Sequence, residues 1–261
     1  MSFQNKVVLV TGASSGIGAA TAIAFAAEGA RVAIVGRNEK KLAVTAEQCE
    51  KKGSKPLFIA ADVTKDEDVI RIMKDTINHF GKLDVLVNNA GIAPNASILA
   101  PDAMDTFDKT MTTNLRSVVH LTHLAAPYLV ESKGNIVNVS SIAALSVVVN
   151  YSSAYSTSKA GLDHFTRCVA LELAAKGVRV NTVNPGPVKT DILESAGVTA
   201  EQRDAMMAAV SKMVPLGRVG EPEEIADVIL FLASDKAKSV TGSTYVSDNG
   251  MVMNGIMQIP E

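Results

Sequence analysis

Short, almost wholly apolar runs alternate with longer helical segments along the chain, and this order constrains the fold more than any other feature of the sequence. Lys6 to Val10, Arg31 to Val35, Leu57 to Ala61, Leu83 to Val87, Asn135 to Val139, Val178 to Val183 and Thr244 to Val246 read as strands. Between them Gly16 to Glu28, Glu39 to Lys52, Asp66 to Phe80, Ala103 to Val130, Ser152 to Ala175 and Glu223 to Ala233 carry helical spacing. Strands that are apolar throughout are buried on both faces, which requires helices above and below a parallel sheet. The expectation is one doubly wound α/β domain over residues 1–261, with a mainly parallel seven-stranded sheet and helices on both faces. No repeat, low-complexity tract or linker interrupts it.

Immediately after the first strand comes Thr11-Gly12-Ala13-Ser14-Ser15-Gly16-Ile17-Gly18, which opens an Ala-rich helix. Glycines at a strand-to-helix turn permit positive φ and close backbone approach, and the helix N-terminus offers unpaired N–H groups to a pyrophosphate. The bland reading is a tight turn kept for helix packing. The position, between the first strand and first helix of a βαβ unit, favours a Rossmann-type dinucleotide site in which Gly12, Ser14, Ser15, Gly16, Ile17 and Gly18 meet the cofactor.

The second strand ends Val35-Gly36-Arg37-Asn38. In a dinucleotide fold an acidic side chain here holds the ribose 2′-hydroxyl of NAD, whereas a basic one accommodates the 2′-phosphate of NADP. With no carboxylate at the tip and a guanidinium able to grip phosphate, NADP(H) is favoured over NAD(H), with Arg37 and Asn38 in contact. Ser15 supplies no second cation, and a solvated Arg37 is the alternative.

Tyr155 and Lys159 stand four apart in a predicted helix and therefore share a face. A phenol titrates near ~10, and a neighbouring ammonium would bring its proton within reach at neutral pH. Ser140 and Ser141 follow a buried strand, so a hydroxyl emerges at its carboxyl end and could bond a carbonyl oxygen. Alone, each of these is a common coincidence.

The chain has 261 residues, 47% of them hydrophobic and 20% charged, with a net charge of −2. This balance argues against a nucleic-acid or membrane surface. Met1 to Lys6 is not an apolar export segment and no run is long enough to span a bilayer, so a cytoplasmic enzyme is expected. Cys49 and Cys168 fall in separate predicted helices and read as buried thiols; no metal site is expected, although His120 and His123 form an i, i+3 pair.

The motifs occur together in one order: Thr11 to Gly18, Asp62-Val63, Asn88-Asn89-Ala90-Gly91, Asn114, Ser141, Tyr155-x-x-x-Lys159, and Pro185-Gly186 with Thr190. In this the chain resembles the short-chain dehydrogenase/reductase family over nearly its whole length. The resemblance implies that Asp62 and Val63 hold the adenine, that Asn89, Ala90 and Gly91 line the cofactor, and that Pro185, Gly186, Val188 and Thr190 anchor the nicotinamide end. It also implies a catalytic set of Asn114, Ser141, Tyr155 and Lys159, with Tyr155 and Lys159 touching the cofactor. Tyr155 would exchange the proton, Ser141 steady the oxygen, Lys159 lower the Tyr155 pKa and bond the nicotinamide ribose, and Asn114 hold a relay water. Two departures stand out. The loop from Ile142 to Ala154 is one residue longer than the family's usual spacing, which leaves Ser140 open as an alternative to Ser141, and Val246-Ser247-Asp248-Asn249-Gly250 replaces a more usual Val-Asp-Gly-Gly.

Ile92, Leu145, Val147, Tyr151, Ile192, Leu193 and Met206 are expected to line the substrate, with residues 187–213 forming a covering lid. Apolar residues with flexible methionines suit a small apolar ketone or secondary alcohol. Three functions compete: an NADP(H)-dependent carbonyl reductase, a 3-oxoacyl thioester reductase of fatty-acid synthesis, and a non-catalytic nucleotide-binding regulatory protein. The second would need basic residues at the mouth, for which Arg116, Arg167 and Lys176 are candidates; the third would need a broken catalytic set. Apolar positions on several faces of the helices carrying Asn114 and Tyr155, together with the resemblance, imply a homotetramer.

Overall fold

The computed structural model describes residues 2–147, 150–192 and 198–253. Seven strands form one sheet in the order β3-β2-β1-β4-β5-β6-β7, and each neighbouring pair is parallel. They are β1 Val7–Thr11, β2 Arg31–Gly36, β3 Leu57–Ala60, β4 Val85–Asn88, β5 Asn135–Val139, β6 Arg179–Pro185 and β7 Thr244–Ser247. The chain starts in the middle, winds outward through β2 and β3, returns to β4 beside β1 and winds the other way. The reversal opens a crevice beyond the carboxyl ends of β1 and β4, where ligands of such sheets bind.

Alternation within each strand divides the core. Val8, Val10, Ile34, Val85 and Val87 pack with Phe25 of α1 (Gly16–Ala27), Leu42 of α2 (Glu39–Lys52) and Ile225 and Ile229 of α8 (Pro222–Ala233). Val7, Leu9, Leu86, Ile136 and Val180 face the other way, onto Ile72 of α3 (Asp66–Phe80), Leu121 and Leu129 of α5 (Ser117–Ser132) and Ala170 of α6 (Ser153–Ala174). Because both sets are apolar, the strands read as continuous runs, as the sequence led us to expect.

Two local readings are corrected, and the structure adds two features. The helix expected from Ala103 to Val130 is divided into α4 (Ala103–Met111), a π-helical segment Thr112–Arg116, and α5. Hydroxyls of Thr110, Thr113 and Ser117 each bond the carbonyl four residues back, at 2.7, 2.8 and 2.6 Å, competing with the regular ladder where it widens. Within 187–213 lies a further helix, α7 (Ala200–Ser211), opened by a reciprocal Thr199/Gln202 capping box. Cys168 is exposed rather than buried, because its position on α6 faces away from the sheet; Cys49 is buried. Tyr151 lies just before α6, with φ 63. No described helix is long and apolar enough to cross a membrane.

Candidate active site

The glycine turn is shaped by what it must pass. Gly12 has φ +66, and a Cβ there would lie 2.8 Å from both Ala90 Cα and Asn89 Nδ2. A Cβ on Gly18 would lie 2.3 Å from the Gly12 carbonyl oxygen. Asn89 staples the turn to β4: its Nδ2 donates to the carbonyls of Thr11 and Gly12 at 2.9 and 3.1 Å. The Thr11 hydroxyl accepts from the N–H groups of Asn89 and Ala90 at 3.0 and 3.1 Å. Ser15, the N-cap of α1, is extended and makes no side-chain cap, so the first-turn N–H groups are left to a ligand. Ile17 packs against the first core. A bare cradle with an uncapped helix N-terminus fits a pyrophosphate, so the residues present fit a dinucleotide.

At the tip of β2, Gly36 leaves room for Ser14, whose Oγ would stand 2.0 Å from a Cβ at 36. Arg37 is exposed and its Nη1 lies 3.8 Å from Asp62 Oδ2. The other Asp62 oxygen accepts from the N–H and hydroxyl of Thr64 at 3.0 and 2.8 Å, while Val63 packs against the second core. Asn38 caps α2 through Lys41 N–H at 3.0 Å, so its side-chain oxygen serves the helix. A guanidinium thus stands beside the residues expected at the adenosine, with no carboxylate at the strand tip itself.

The expected catalytic residues come together at the carboxyl ends of β4 and β5. Asn114, fully buried on the π segment, accepts from Ile92 N–H and donates to the Ile92 carbonyl, both at 2.9 Å, and donates to Ser158 Oγ at 3.1 Å. Ser158 in turn donates to the Tyr155 carbonyl at 2.7 Å. A Cβ on Gly91 would stand 3.3 Å from Asn114 Oδ1 and 3.6 Å from Lys159 Nζ, so these groups converge on one point of backbone. Lys159 is 4% exposed and donates to the Val139 carbonyl at 2.8 Å.

The two serines after β5 divide their work. Ser141 caps the short 3-10 turn Ile142–Ala144 through Ala143 N–H and acts on the Tyr155 phenol, favouring its ionised form, whereas Ser140 turns inward to the Lys159 carbonyl at 3.3 Å. Of the two, Ser141 is therefore the one that faces Tyr155.

Electrostatics amend the expected role of the lysine. Burial pushes the Tyr155 phenol above its ordinary range, opposed by the Ser141 hydroxyl. Burial pushes Lys159 down to about 8, opposed by the Asp163 carboxylate. The ammonium points to Val139 and lies 5.8 Å from the Tyr155 ring centroid. Desolvation is the largest influence on both groups, and on Tyr155 it favours the protonated phenol.

Beyond β6 the chain folds back over the nucleotide turn. Gly186 passes Asp248 so closely that a Cβ would stand 2.7 Å from its Cα. Asp248 itself accepts from Gly250 and Val252 N–H at 2.9 and 2.7 Å, which gives the unusual Ser247-Asp248-Asn249 sequence a structural task. Pro185 ends β6, Val188 is buried and bridges to Gly220, and the Thr190 methyl would meet a Cβ on Gly16 at 2.9 Å. A cavity of about 610 Å³ lies under residues 189–191, lined by Lys189, Thr190, Asp191, Arg203, Met207 and Val219. A second, about 350 Å³ and bordered by Phe3, Lys6, Asn135 and Arg179, is at the opposite end of the sheet, where the strands begin.

Of the residues expected to line the substrate, Leu145, Val147, Tyr151, Ile192 and Met206 are exposed, Val147 to 87%. Ala96 N–H donates to the Tyr151 carbonyl at 2.9 Å, joining the loop after β4 to this rim. Ile92 is buried and held by Asn114, so it is a clamp as much as a wall. Leu193 lies outside the described residues. Sequence reasoning passed over Ser158, Asp163 and Asn184, and of these only Ser158 carried a signal, sitting beside Lys159 one turn after Tyr155.

Comparison with known proteins bears on this arrangement. Residues 12–252 match the family model described as Enoyl-(Acyl carrier protein) reductase. The chain is 41% identical to an uncharacterized oxidoreductase of Thermotoga maritima, over 96% of this chain and 98% of the relative. It is 37% identical to the 3-oxoacyl-[acyl-carrier-protein] reductase FabG of the same organism, over 97% and 100%. Among solved structures, a short-chain dehydrogenase/reductase of Caenorhabditis elegans with cofactor superposes with a TM-score of 0.92 at 38% identity, covering 97% of each chain. L-sorbose reductase of Gluconobacter frateurii, complexed with NADPH and L-sorbose, gives 0.88 at 32% identity, covering 97% of this chain and 98% of that one.

Proposed function

As this chain belongs to the short-chain dehydrogenase/reductase family, we propose that it is an NADP(H)-dependent carbonyl reductase acting on a small apolar ketone or the corresponding secondary alcohol. The observation that carries the reading is the convergence of Asn114 and Lys159 on Gly91, with the Ser141 hydroxyl acting on the Tyr155 phenol alongside. When bound, the nicotinamide supplies the hydride. Ser141 holds the substrate oxygen, Tyr155 gives it a proton as the carbonyl carbon becomes saturated, and the product is the alcohol. Lys159, Ser158 and Asn114 hold that geometry from behind.

Arg37 beside Asp62, with glycine at the strand tip, supports NADP(H), which also accompanies L-sorbose reductase. Leu145, Val147, Tyr151, Ile192 and Met206 support an apolar substrate, with the described residues 187–192 and 198–213 proposed as part of a lid over it. A 3-oxoacyl thioester reductase is the second reading, favoured by the likeness to FabG. Of its three candidate cations, Arg116 is paired with Asp66 at 2.7 and 2.9 Å, while Arg167, 3.2 Å from His164, and Lys176 are exposed. Leu171 on α6 is 83% exposed and Val119 on α5 is also exposed, which supports a homotetramer covering these faces, working in the cytoplasm.

The test is NADPH oxidation with a panel of hydrophobic ketones and an acetoacetyl thioester. Tyr155→Phe should cut turnover by more than ~100-fold while NADPH binding persists. A variant that keeps most of its rate, or a thioester preferred over every ketone, overturns the assignment.

A further inference from the structure

Directly beneath the site lies a buried carboxyl that the hydride-transfer reading leaves unused. Asp163 follows Lys159 by one turn of α6 and is 3% exposed. Its Oδ2 accepts from Asn184 Nδ2 at 2.8 Å, and the same amide donates to the Ser141 carbonyl at 2.9 Å. Asn184, on β6, is fully buried. One amide therefore ties the carboxyl to the residue whose hydroxyl meets Tyr155. On the other flank the Ser140 hydroxyl, already bonded to the Lys159 carbonyl, also acts on Asp163. Asp163 Oδ1 has no hydrogen-bond partner among the described residues. A carboxyl at this depth is costly unless its charge or its bonds are used.

We propose that Asp163 is a positioning residue of the hydride-transfer site: through Asn184 it fixes the backbone at Ser141, and as an anion one helical turn from Lys159 it keeps that lysine charged. The proposal rests on the catalytic reading of Tyr155 and Lys159. Groups four apart on a helix approach closely, and between buried charges the intervening medium screens little. Burial holds the Asp163 carboxyl above its ordinary value, opposed by Ser140, Asn184 and the charges of Arg167 and Lys159. The ionisable residues acting here are Tyr155, Lys159 and Arg167 on α6 itself. The facing strand ends contribute Ser140, Ser141 and Asn184, and the π segment Asn114, none of which ionises; Asp105, Asp108 and Lys109 of α4 are exposed.

The experiment reads Lys159 directly, by an NMR titration of isotope-labelled lysine with the Lys159 signal assigned from its loss in Lys159→Met. Asp163→Asn keeps the shape and removes the charge. Its Lys159 midpoint should fall by at least about one pH unit, and turnover should fall at least ~10-fold with NADPH affinity changed less than ~3-fold. A midpoint that does not move overturns the proposal, whatever happens to thermal stability. Should Asp163→Asn not fold, Asn184→Ala carries the test: without the amide that stabilises the carboxylate, Asp163 takes up a proton and the midpoint again falls, and an unchanged midpoint is again fatal. If Tyr155→Phe retained its rate, the catalytic reading would fail while the titration still reported the coupling, so the two failures are separable.

Discussion

Substituting Gly18 with alanine probes the seam between the nucleotide turn and β4. The added Cβ would lie 2.3 Å from the Gly12 carbonyl oxygen and 2.4 Å from Asn89 Nδ2. Neither is the free end of a flexible side chain: one is backbone, and the other is held by two carbonyls at 2.9 and 3.1 Å. Overpacking of this kind costs about 1–3 kcal/mol. Losing one of the Asn89 bonds adds about 1 kcal/mol, and the better helix propensity of alanine returns up to about 1 kcal/mol. The net expectation is a loss of about 2 kcal/mol, or about 4–8 °C in Tm for a domain of this size. NADPH affinity should fall with it, because the displaced carbonyl belongs to the turn proposed to receive the pyrophosphate. Calorimetry with and without NADPH measures both. Gly161→Ala is the control: its Cβ would meet only Leu115 Cδ2, at 3.0 Å, within a helix, and it should be neutral or stabilising. A Gly18→Ala protein within about 0.5 kcal/mol of the parent, with unchanged NADPH affinity, would refute the reasoning.

Arg37→Ile should raise the apparent KM for NADPH by about ten- to a hundredfold, the worth of a charge-assisted phosphate contact, and leave that for NADH nearly unchanged; a parent that already prefers NADH would sink the cofactor argument. Adding Gly36→Asp should favour NADH only when Ser14→Gly accompanies it, since Ser14 Oγ would otherwise stand 2.0 Å from the new Cβ. Asp84 accepts from Val7 N–H at 2.8 Å and pairs with Lys82 and Lys6 at 2.8 and 3.2 Å. Burial pushes its carboxyl up, but Lys82, Val7 and Lys6 together hold it below its ordinary value. A depressed carboxyl contributes stability that is present above its unfolded value of ~3.9 and is lost as pH falls through the folded one. Asp84→Asn should therefore cost about 1–2 kcal/mol at neutral pH and flatten the acid-unfolding curve below pH ~4, and denaturant titrations across that range check it. Thiol titration of the native protein should report at most one reactive cysteine per chain. Cys168 is exposed, while Cys49 is buried and burial pushes its thiol up to about 11; rapid labelling of both would show that α2 is not packed as described.

Features set by neighbouring residues were legible in the sequence. Apolar runs too continuous for a wet face announced a parallel sheet, and a glycine trio between strand and helix announced a nucleotide turn. A tyrosine and lysine four apart had to share a helical face. Period and turn chemistry act over a few residues, so one dimension carries them. What needed the tertiary structure was every decision made by distant parts of the chain. The π segment exists because three hydroxyls bond back along the helix, and its purpose appears only where Asn114 meets Ile92, 22 residues away. Ser140 and Ser141 look alike in the sequence; the meeting of β5, β6 and α6 gives one to Tyr155 and turns the other inward. Lys159 was expected to govern Tyr155 through its charge, yet burial governs both groups, and burial is a property of packing rather than of spacing. Asp163 carried no signal in the sequence; its link to Ser141 appears only through Asn184, 21 residues on and on strand β6. Local spacing determines which side chains share a face, but only the folded chain determines what that face meets and how much water remains there.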